Sequence, residues 1–529
     1  MIGTGMSFRK SNKNDHLRRR PGARPSLLLL ISMILSPAAQ AAGPLDGAIR
    51  AQRGGDNITA SKMFYQAVTS SSGELKQDAE MGLAQSLKLA GFPYASAYFF
   101  SRLVSLGPRG KYFKPALDAL SELNSRAPLG RASIAGLFQV KADQIEIPAG
   151  AKGFYHYYKG LEAFDAGPQN PSNLIRAKAE LERVPAGNTY YNLAQFYLGV
   201  IFSILKNSDS ALDSFKRAQR TTSDNIRQLA TINLARVYYE RREFRASFEN
   251  YSKIPRDSDL WLQGIFEGAY GFFMIQKHNN TLGNLHTITS PFFERRFYPE
   301  TYILQAITYL RLCRVAEVDR ALKQFQDRYK PKFSDLNRLL KTYKGQSTAF
   351  YDVVARYRNT KTMKEFTAAV DIVDAVSRTE GFKEGQTVVR NVEREKSLMR
   401  TRGARLDALS EVLKKYYSDM RDATAERTGQ QAFDHALQLF RYLQDLSNQT
   451  RLINLERQAV VTDSIREEYQ GDPGGADKTD WGEGMRPLNL KQQLEYWPFE
   501  GEYWEDELGA YIYNIDSKCG GTPKKGKSK

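Results

Sequence analysis

The sequence predicts an all-α protein that begins as a stack of helical hairpins, and two observations carry this prediction. First, a pattern of small and large apolar residues recurs along the chain at nearly constant intervals. Second, a later stretch without proline carries apolar residues three and four positions apart, the spacing that places them on one helix face. We therefore expect an α-solenoid, then long helices, then a short aromatic C-terminal segment.

The clearest hairpin starts with Leu198-Gly199 and Phe202 on its first helix and continues with Ala211, Phe215 and Ala218 on its second. Small residues stand where two helices must touch, and large apolar residues follow one turn later. The small residue recurs on the first helices that come next, at intervals of 36, 34 and 37 residues, as Ala235, Ala269 and Ala306.

Upstream, related patterns begin at Gly160, at Leu83-Ala84 and at Ala60. Together these patterns predict six or seven degenerate hairpins over about residues 44–330. Such units cannot bury their apolar faces alone and must stack on their neighbours. An ordinary helical domain with chance similarity is the alternative.

The Leu198-Gly199-x-x-Phe202 and Ala211-x-x-x-Phe215-x-x-Ala218 patterns resemble the tetratricopeptide repeat family, whose unit has 34 residues. That resemblance implies a superhelix with a protein-binding groove lined by the first helix of each hairpin. The family's groove positions correspond here to Val200, Ser203, Ile204, Arg236, Tyr239, Tyr270, Phe273, Ile307, Leu310 and Arg311. The Lys/Asn set with which chaperone-binding members clamp a C-terminal carboxylate is not evident.

Residues 1–41 have the features of a secretory signal peptide. A basic region around Arg18–Arg24 precedes the apolar run Leu27–Leu35, and Ala39-Gln40-Ala41 fits a cleavage site. The run is too short to span a bilayer as a mature helix, so we expect a periplasmic protein with no membrane span after cleavage. An uncleaved anchor, and a translation start at Met6 instead of Met1, remain open.

The chain carries a formal net charge of +17. Residues 1–41 hold seven basic residues and one acidic residue, which leaves the mature chain at about +11. Nucleic acid is an implausible partner for an exported protein, whereas other envelope proteins, peptides or anionic envelope polymers suit this charge. Cys313 and Cys519 could pair in an oxidising compartment; the alternative is a buried thiol and a free one.

Beyond residue 330 the repeat pattern fades, although residues 331–470 still read as helical. Apolar residues such as Leu406, Leu413 and Leu437 predict two long helices that break near Thr428-Gly429 and pack as an antiparallel hairpin. Continued irregular stacking is the alternative. A flexible linker is predicted for residues 471–486.

Residues 487–529 form an aromatic and acidic segment with a basic tail. Such aromatic surface needs a partner, so we expect a cap on the helices or a peptide that docks on another protein. The anchors of such a peptide would be Trp497, Phe499, Tyr503 and Trp504. The nearby carboxylates lack the spacing of a calcium loop.

We find no catalytic motif, metal-ligand spacing or cofactor fingerprint, and therefore expect no enzyme activity, no catalytic residues, no metal and no cofactor. The layout of signal, repeats, helical second half and aromatic terminus resembles exported repeat proteins of gliding and predatory bacteria. It implies a scaffold or adaptor in an envelope complex, some relatives belonging to motility machinery. The alternative is a factor that binds peptidoglycan or the cell wall and assists envelope assembly.

Overall fold

The computed structural model describes residues 43–140, 146–402, 405–470 and 503–519, with the backbone alone for 463–470. The chain divides into two compact units, residues 1–44 and 45–529, and every helix below belongs to the second. The predicted signal peptide, the linker at 471–486, Trp497 and Phe499 lie outside the described residues.

The described part is all-helical, with no strand. Its α-helices are α1 Asp46–Arg53, α2 Asn57–Ser70, α3 Gly73–Leu89, α4 Pro93–Ser105, α5 Phe113–Arg126, α6 Gly130–Ser133, α7 Ala135–Gln139, α8 Lys152–Asp165, α9 Pro171–Glu182, α10 Tyr191–Ile204, α11 Ser208–Ala218, α12 Asp224–Glu240, α13 Phe244–Tyr251, α14 Trp261–Met274, α15 His278–Ile288, α16 Glu300–Arg311, α17 Val315–Tyr343, α18 Ser347–Thr360, α19 Val370–Ser377, α20 Glu380–Arg402 and α21 Ala408–Gln470. Short 3₁₀ turns occupy Pro291–Phe293, Thr367–Ala369 and Glu505–Glu507. No helix in this part of the chain is both long and apolar enough to cross a membrane.

The predicted all-α architecture of consecutive hairpins is confirmed: α1 packs on α2, α3 on α4, α8 on α9, and each pair from α10–α11 to α16–α17 does the same. The small residues lie at the crossings. A Cβ on Gly199 would come within 2.6 Å of the Phe215 ring, and one on Gly160 would meet Leu181 at the same distance. These glycines therefore allow the close helix contacts that the sequence pattern predicts.

A second repeated feature lies in the turn inside each hairpin. In the last four hairpins the turn holds a non-glycine residue with φ between 52° and 60°, namely Lys206, Arg242, Gln276 and Cys313. The three earlier hairpins use Gly55, Gly91 and Gly167 with positive φ at the corresponding turn. The left-handed backbone conformation costs free energy for any residue other than glycine. Its recurrence at this position therefore indicates that every one of these hairpins needs the same turn.

The boundary predicted at residue 330 was wrong, because α17 continues through Pro331 to Tyr343. Proline removes a hydrogen bond from the carbonyl four residues earlier, here that of Asp327. Asp327 and Pro331 are both exposed, so water can serve the carbonyl that loses its partner. The helix is continuous, and no domain boundary falls there.

The break predicted at Thr428-Gly429 was also wrong, since α21 runs through both residues. A Cβ on Gly429 would lie 1.8 Å from the Ser347 carbonyl oxygen, at the start of α18. This glycine thus serves close packing and does not end the helix. The chain reverses instead between α20 and α21, where Gly385 faces Thr428 and Glu395 faces Tyr417 in antiparallel register.

Helix α21 contributes to apolar cores at both ends of the hairpin array. Its first turns share a core with α1–α10 through Leu409, Leu413, Tyr417 and Met420. Further along, Leu443, Leu446 and Ile453 pack with α16 and α17. The second half of the chain is therefore folded back onto the repeats and braces them.

Candidate binding surfaces

The groove positions implied by the repeat resemblance lie on neighbouring first helices, and contacts between those helices already engage two of them. Arg236 of α12 binds Glu267 of α14 through Nε and Nη2, at 2.9 and 2.6 Å. The Tyr251 hydroxyl donates to the same carboxylate. Burial lowers the pKa of Arg236, but the Glu267 carboxylate outweighs it, so that pKa stays above its usual value.

The next pair repeats this arrangement one helix further on. The Tyr270 hydroxyl of α14 donates to Glu300 of α16 at 2.5 Å. The same carboxylate accepts a hydrogen bond from Tyr442 of α21. Arg236 and Tyr270 therefore hold the array together, and Tyr442 places α21 against the groove at α16.

The second half also contacts the groove side of the array at the starting ends of its first helices. Asp259, just before α14, binds Arg378 at 2.7 Å and Lys383 at 3.0 Å. Asn225, in the first turn of α12, donates to Glu380 of α20. The second half of the chain thus covers the N-terminal ends of α12 and α14.

The C-terminal ends of α10 and α14 carry the most exposed apolar side chains of the first helices, and we call the surface along these helix ends the rim. Its exposed residues are Ile204 and Leu205 at α10, Met274 at α14 and Arg311 at α16, whereas Tyr239, Phe273 and Leu310 at the same helix ends are half-buried. Ile204 is 44% exposed, Leu205 42% and Met274 55%. Leu205 and Met274 were not among the predicted residues, although Met274 stands five residues after the small residue Ala269, as Ile204 does after Gly199.

Of the other predicted groove residues, Val200 and Ile307 are partly buried in the hydrophobic cores between helices. The Ser203 hydroxyl donates to the carbonyl of Gly199 within its own helix. These three side chains contribute to packing more than to the open surface. Of the predicted groove residues, only Ile204 and Arg311 are therefore exposed; the others are partly buried or already engaged by the fold.

The described C-terminal segment, residues 503–519, lies along α15 and α16. The Gly509 N–H donates a hydrogen bond to the Thr287 hydroxyl. The N–H groups of Tyr513 and Ile515 donate to the carbonyl and the side-chain oxygen of Asn279, respectively. A Cβ on Gly283 would lie 1.7 Å from the Tyr511 carbonyl oxygen, so the segment touches the helix backbone at this glycine. The described part of the aromatic segment is therefore a cap on the repeats.

His286 anchors the aromatic residues of this cap. Its ring stacks on Tyr503 with centroids 4.7 Å apart and meets the Tyr513 hydroxyl at 3.2 Å. Burial lowers the pKa of His286 to about 4, so the ring is neutral near neutral pH. Trp504, predicted as an anchor, is 60% exposed on the outside of the cap.

A disulfide joins Cys313 to Cys519, a pairing that the sequence left open. Cys313 is the left-handed residue in the turn after α16, and the Lys518 N–H donates to the Leu312 carbonyl beside it. The bridge spans 206 positions of sequence and fastens the cap at the α16 end of the rim.

Within the described residues, no group of three or more His, Cys, Asp or Glu side chains is arranged to hold a metal ion. Comparison with protein-family models gives no match, and a search of curated proteins finds no significant similarity. The surfaces above therefore rest on the chain's own geometry.

Proposed function

We propose that this protein is an exported, non-enzymatic scaffold that binds partner proteins of a bacterial envelope complex through the rim. The observation that carries the proposal is the exposure of Ile204 and Met274 at equivalent positions near the C-terminal ends of α10 and α14, two first helices with α12 between them. Large apolar side chains left in water at equivalent positions of a repeat array are typical of interaction surfaces.

The proposed location outside the cytoplasm is supported by two features. The first 41 residues read as a secretory signal, and the Cys313–Cys519 disulfide suits a protein that matures in an oxidising compartment. The resemblance to exported repeat proteins of gliding bacteria favours a motility complex as the setting.

The residues chosen to test the rim must not be those that hold the array together. Arg236→Glu would place two carboxylates side by side in a partly buried contact with Glu267, and lost capture would then report misfolding. Ile204→Glu with Met274→Glu changes two exposed side chains on the rim instead. Changes at such exposed sites usually alter stability by about 0.5 kcal/mol or less.

We expect the Ile204→Glu/Met274→Glu variant to lose most of the partner protein recovered with the native chain after cross-linking in the envelope. Two carboxylates in an apolar contact must be desolvated, which costs affinity. The measurement is quantitative mass spectrometry of cross-linked proteins captured with the tagged full chain.

Ile175→Glu is the matched control, because Ile175 is 61% exposed on the second helix α9, away from the rim. It should capture partners like the native chain. Equal recovery of all partners with the rim variant would show that the rim is not the binding surface.

A further inference from the structure

A cleft of about 490 Å³ opens between the second helices α9 and α11, with α10 as its floor. Two of its walls belong to second helices of the hairpins, whereas the rim lies at the ends of the first helices. Its walls combine apolar side chains, including Val184, Leu198 and Phe202, with the charged residues Lys152, Asp213 and Arg217. This volume falls within the range of pockets that take small ligands, on the order of 300–1,000 Å³.

Gln195 of α10 lines this cleft, and its side-chain oxygen has no hydrogen-bond partner among the described residues. The residue is 6% exposed, and its Oε1 atom is enclosed without a hydrogen bond from the part of the chain that the structure describes. Leaving a buried amide oxygen unpaired costs free energy that an apolar residue of similar size would not cost. A glutamine at this position is explained if its amide turns toward the cleft and a ligand completes its hydrogen bonds.

The charges at the mouth of the cleft favour an anionic ligand. Arg183 and Glu182 already pair with Glu180 and Lys178 on α9. Of the other charged lining residues, Lys152, Arg217 and Asp213 form no ion pair with a described residue. Two cations against one anion leave a net positive charge beside an apolar wall.

We propose that the cleft binds a short acidic segment of a partner protein, with an apolar side chain next to its carboxylate. A peptide unit offers both a donor and an acceptor, so it pairs with the Gln195 amide in either orientation of that amide. The carboxylate meets Arg217 and Lys152, and the apolar side chain packs on Leu198 and Phe202. This inference rests on the proposed scaffold function and names a second surface for it.

The test uses the disulfide-intact full chain and an immobilised positional-scanning library of acetylated tetrapeptide amides. We expect selection of peptides that carry Asp or Glu beside a large apolar residue. Arg217→Glu should weaken binding of the selected peptides by about tenfold or more, since a charge-assisted hydrogen bond is lost and a like charge added. Arg176→Glu makes the same charge change on an exposed part of α9 outside the cleft, and should bind as the native chain does.

Gln195→Leu separates a binding role from a packing role. We expect this variant to be at least as stable as the native chain in thermal denaturation, because an unpaired polar atom is removed, yet to lose selection of the acidic peptides. Loss of stability with unchanged selection would overturn the proposal, as would a library with no acidic preference. Arg217-dependent sedimentation with purified peptidoglycan, without peptide selection, would assign the cleft to a wall polymer instead.

Capture of envelope partners distinguishes failure of the cleft proposal from failure of the scaffold function. If envelope partners are captured by the native chain and by Arg217→Glu in equal amounts, the cleft proposal fails and the scaffold stands. If the native chain captures no partner, the scaffold function fails.

Discussion

Replacing Gly429 with alanine is expected to destabilise the protein by about 3 kcal/mol, because the added methyl group overpacks a tight helix contact. The new Cβ would lie 1.8 Å from the Ser347 carbonyl oxygen and 3.0 Å from the Tyr351 Cβ, so α18 and α21 would have to separate. Without this contact, the same change inside a helix would stabilise it by about 1 kcal/mol. The midpoint of denaturant unfolding of the full chain shows whether Gly429→Ala lowers or raises the stability.

Gly381→Ala is the control, since Gly381 lies near the start of α20 and the nearest atom to its added Cβ is 3.7 Å away. This variant should match or slightly exceed the native stability. If Gly429→Ala behaves like Gly381→Ala, then α21 does not pack against α18 as the structure has it.

The second large effect is expected at Glu395, which fastens α20 to the N-terminal repeats. Its carboxylate accepts the backbone N–H groups of Tyr94 and Ala95, in the first turn of α4, and the Tyr417 hydroxyl. Glu395→Ala would leave these three donors unpaired in a site where Glu395 is 3% exposed. We expect a loss of about 2–4 kcal/mol in the free energy of unfolding, measured by denaturant titration.

Glu395 should also make the stability depend on pH. Burial raises the pKa of Glu395 to about 7, against the lowering effect of the N–H donors of Tyr94 and Ala95 and the Tyr417 hydroxyl. A pKa raised by folding means that the folded state holds the proton more tightly, so this group contributes stability at about pH 4 that is lost as the pH rises through about 7. The contribution lost is on the order of 3 kcal/mol.

Glu395→Gln removes this titration while keeping an acceptor for one N–H group. The stability difference between the native chain and this variant should change between about pH 4 and pH 8, in favour of the native chain at the acid end. The neighbouring phenols do not titrate in this window, because burial raises the pKa of Tyr94, Tyr416 and Tyr417 above its usual value. A difference that stays flat across this range would contradict the role given to Glu395.

The sequence was informative where a residue type has one physical reason to be present. Gly199 and Ala211 pointed to close helix crossings, and their recurrence predicted the hairpins. Gly429 could not be interpreted in this way, because a glycine in a helical pattern is typical of a break and also of a close contact. Its partner, Ser347, stands 82 positions earlier in the sequence, and no local pattern reveals that contact.

The candidate surfaces show the same limit. Repeat spacing placed Arg236 and Tyr270 on the groove side, but it could not reveal that Glu267 and Glu300 on the next helices engage them. Gln195 gave no signal in the sequence, because its lack of a partner depends on the arrangement of three helices. Tertiary contacts between distant segments decide which of the polar side chains remain open to a ligand.

The central claim is that partners bind at the rim, since the fold occupies the inner groove and the N-terminal ends of the first helices. Lys206 and Lys277 lie in the turns that follow α10 and α14, next to the exposed Ile204 and Met274. Mapping of lysine-specific cross-links between the native chain and its captured envelope partners tests the claim most directly. We predict cross-links to partners at Lys206 and Lys277; partner cross-links confined to Lys323 of α17 and Lys415 of α21 would contradict it.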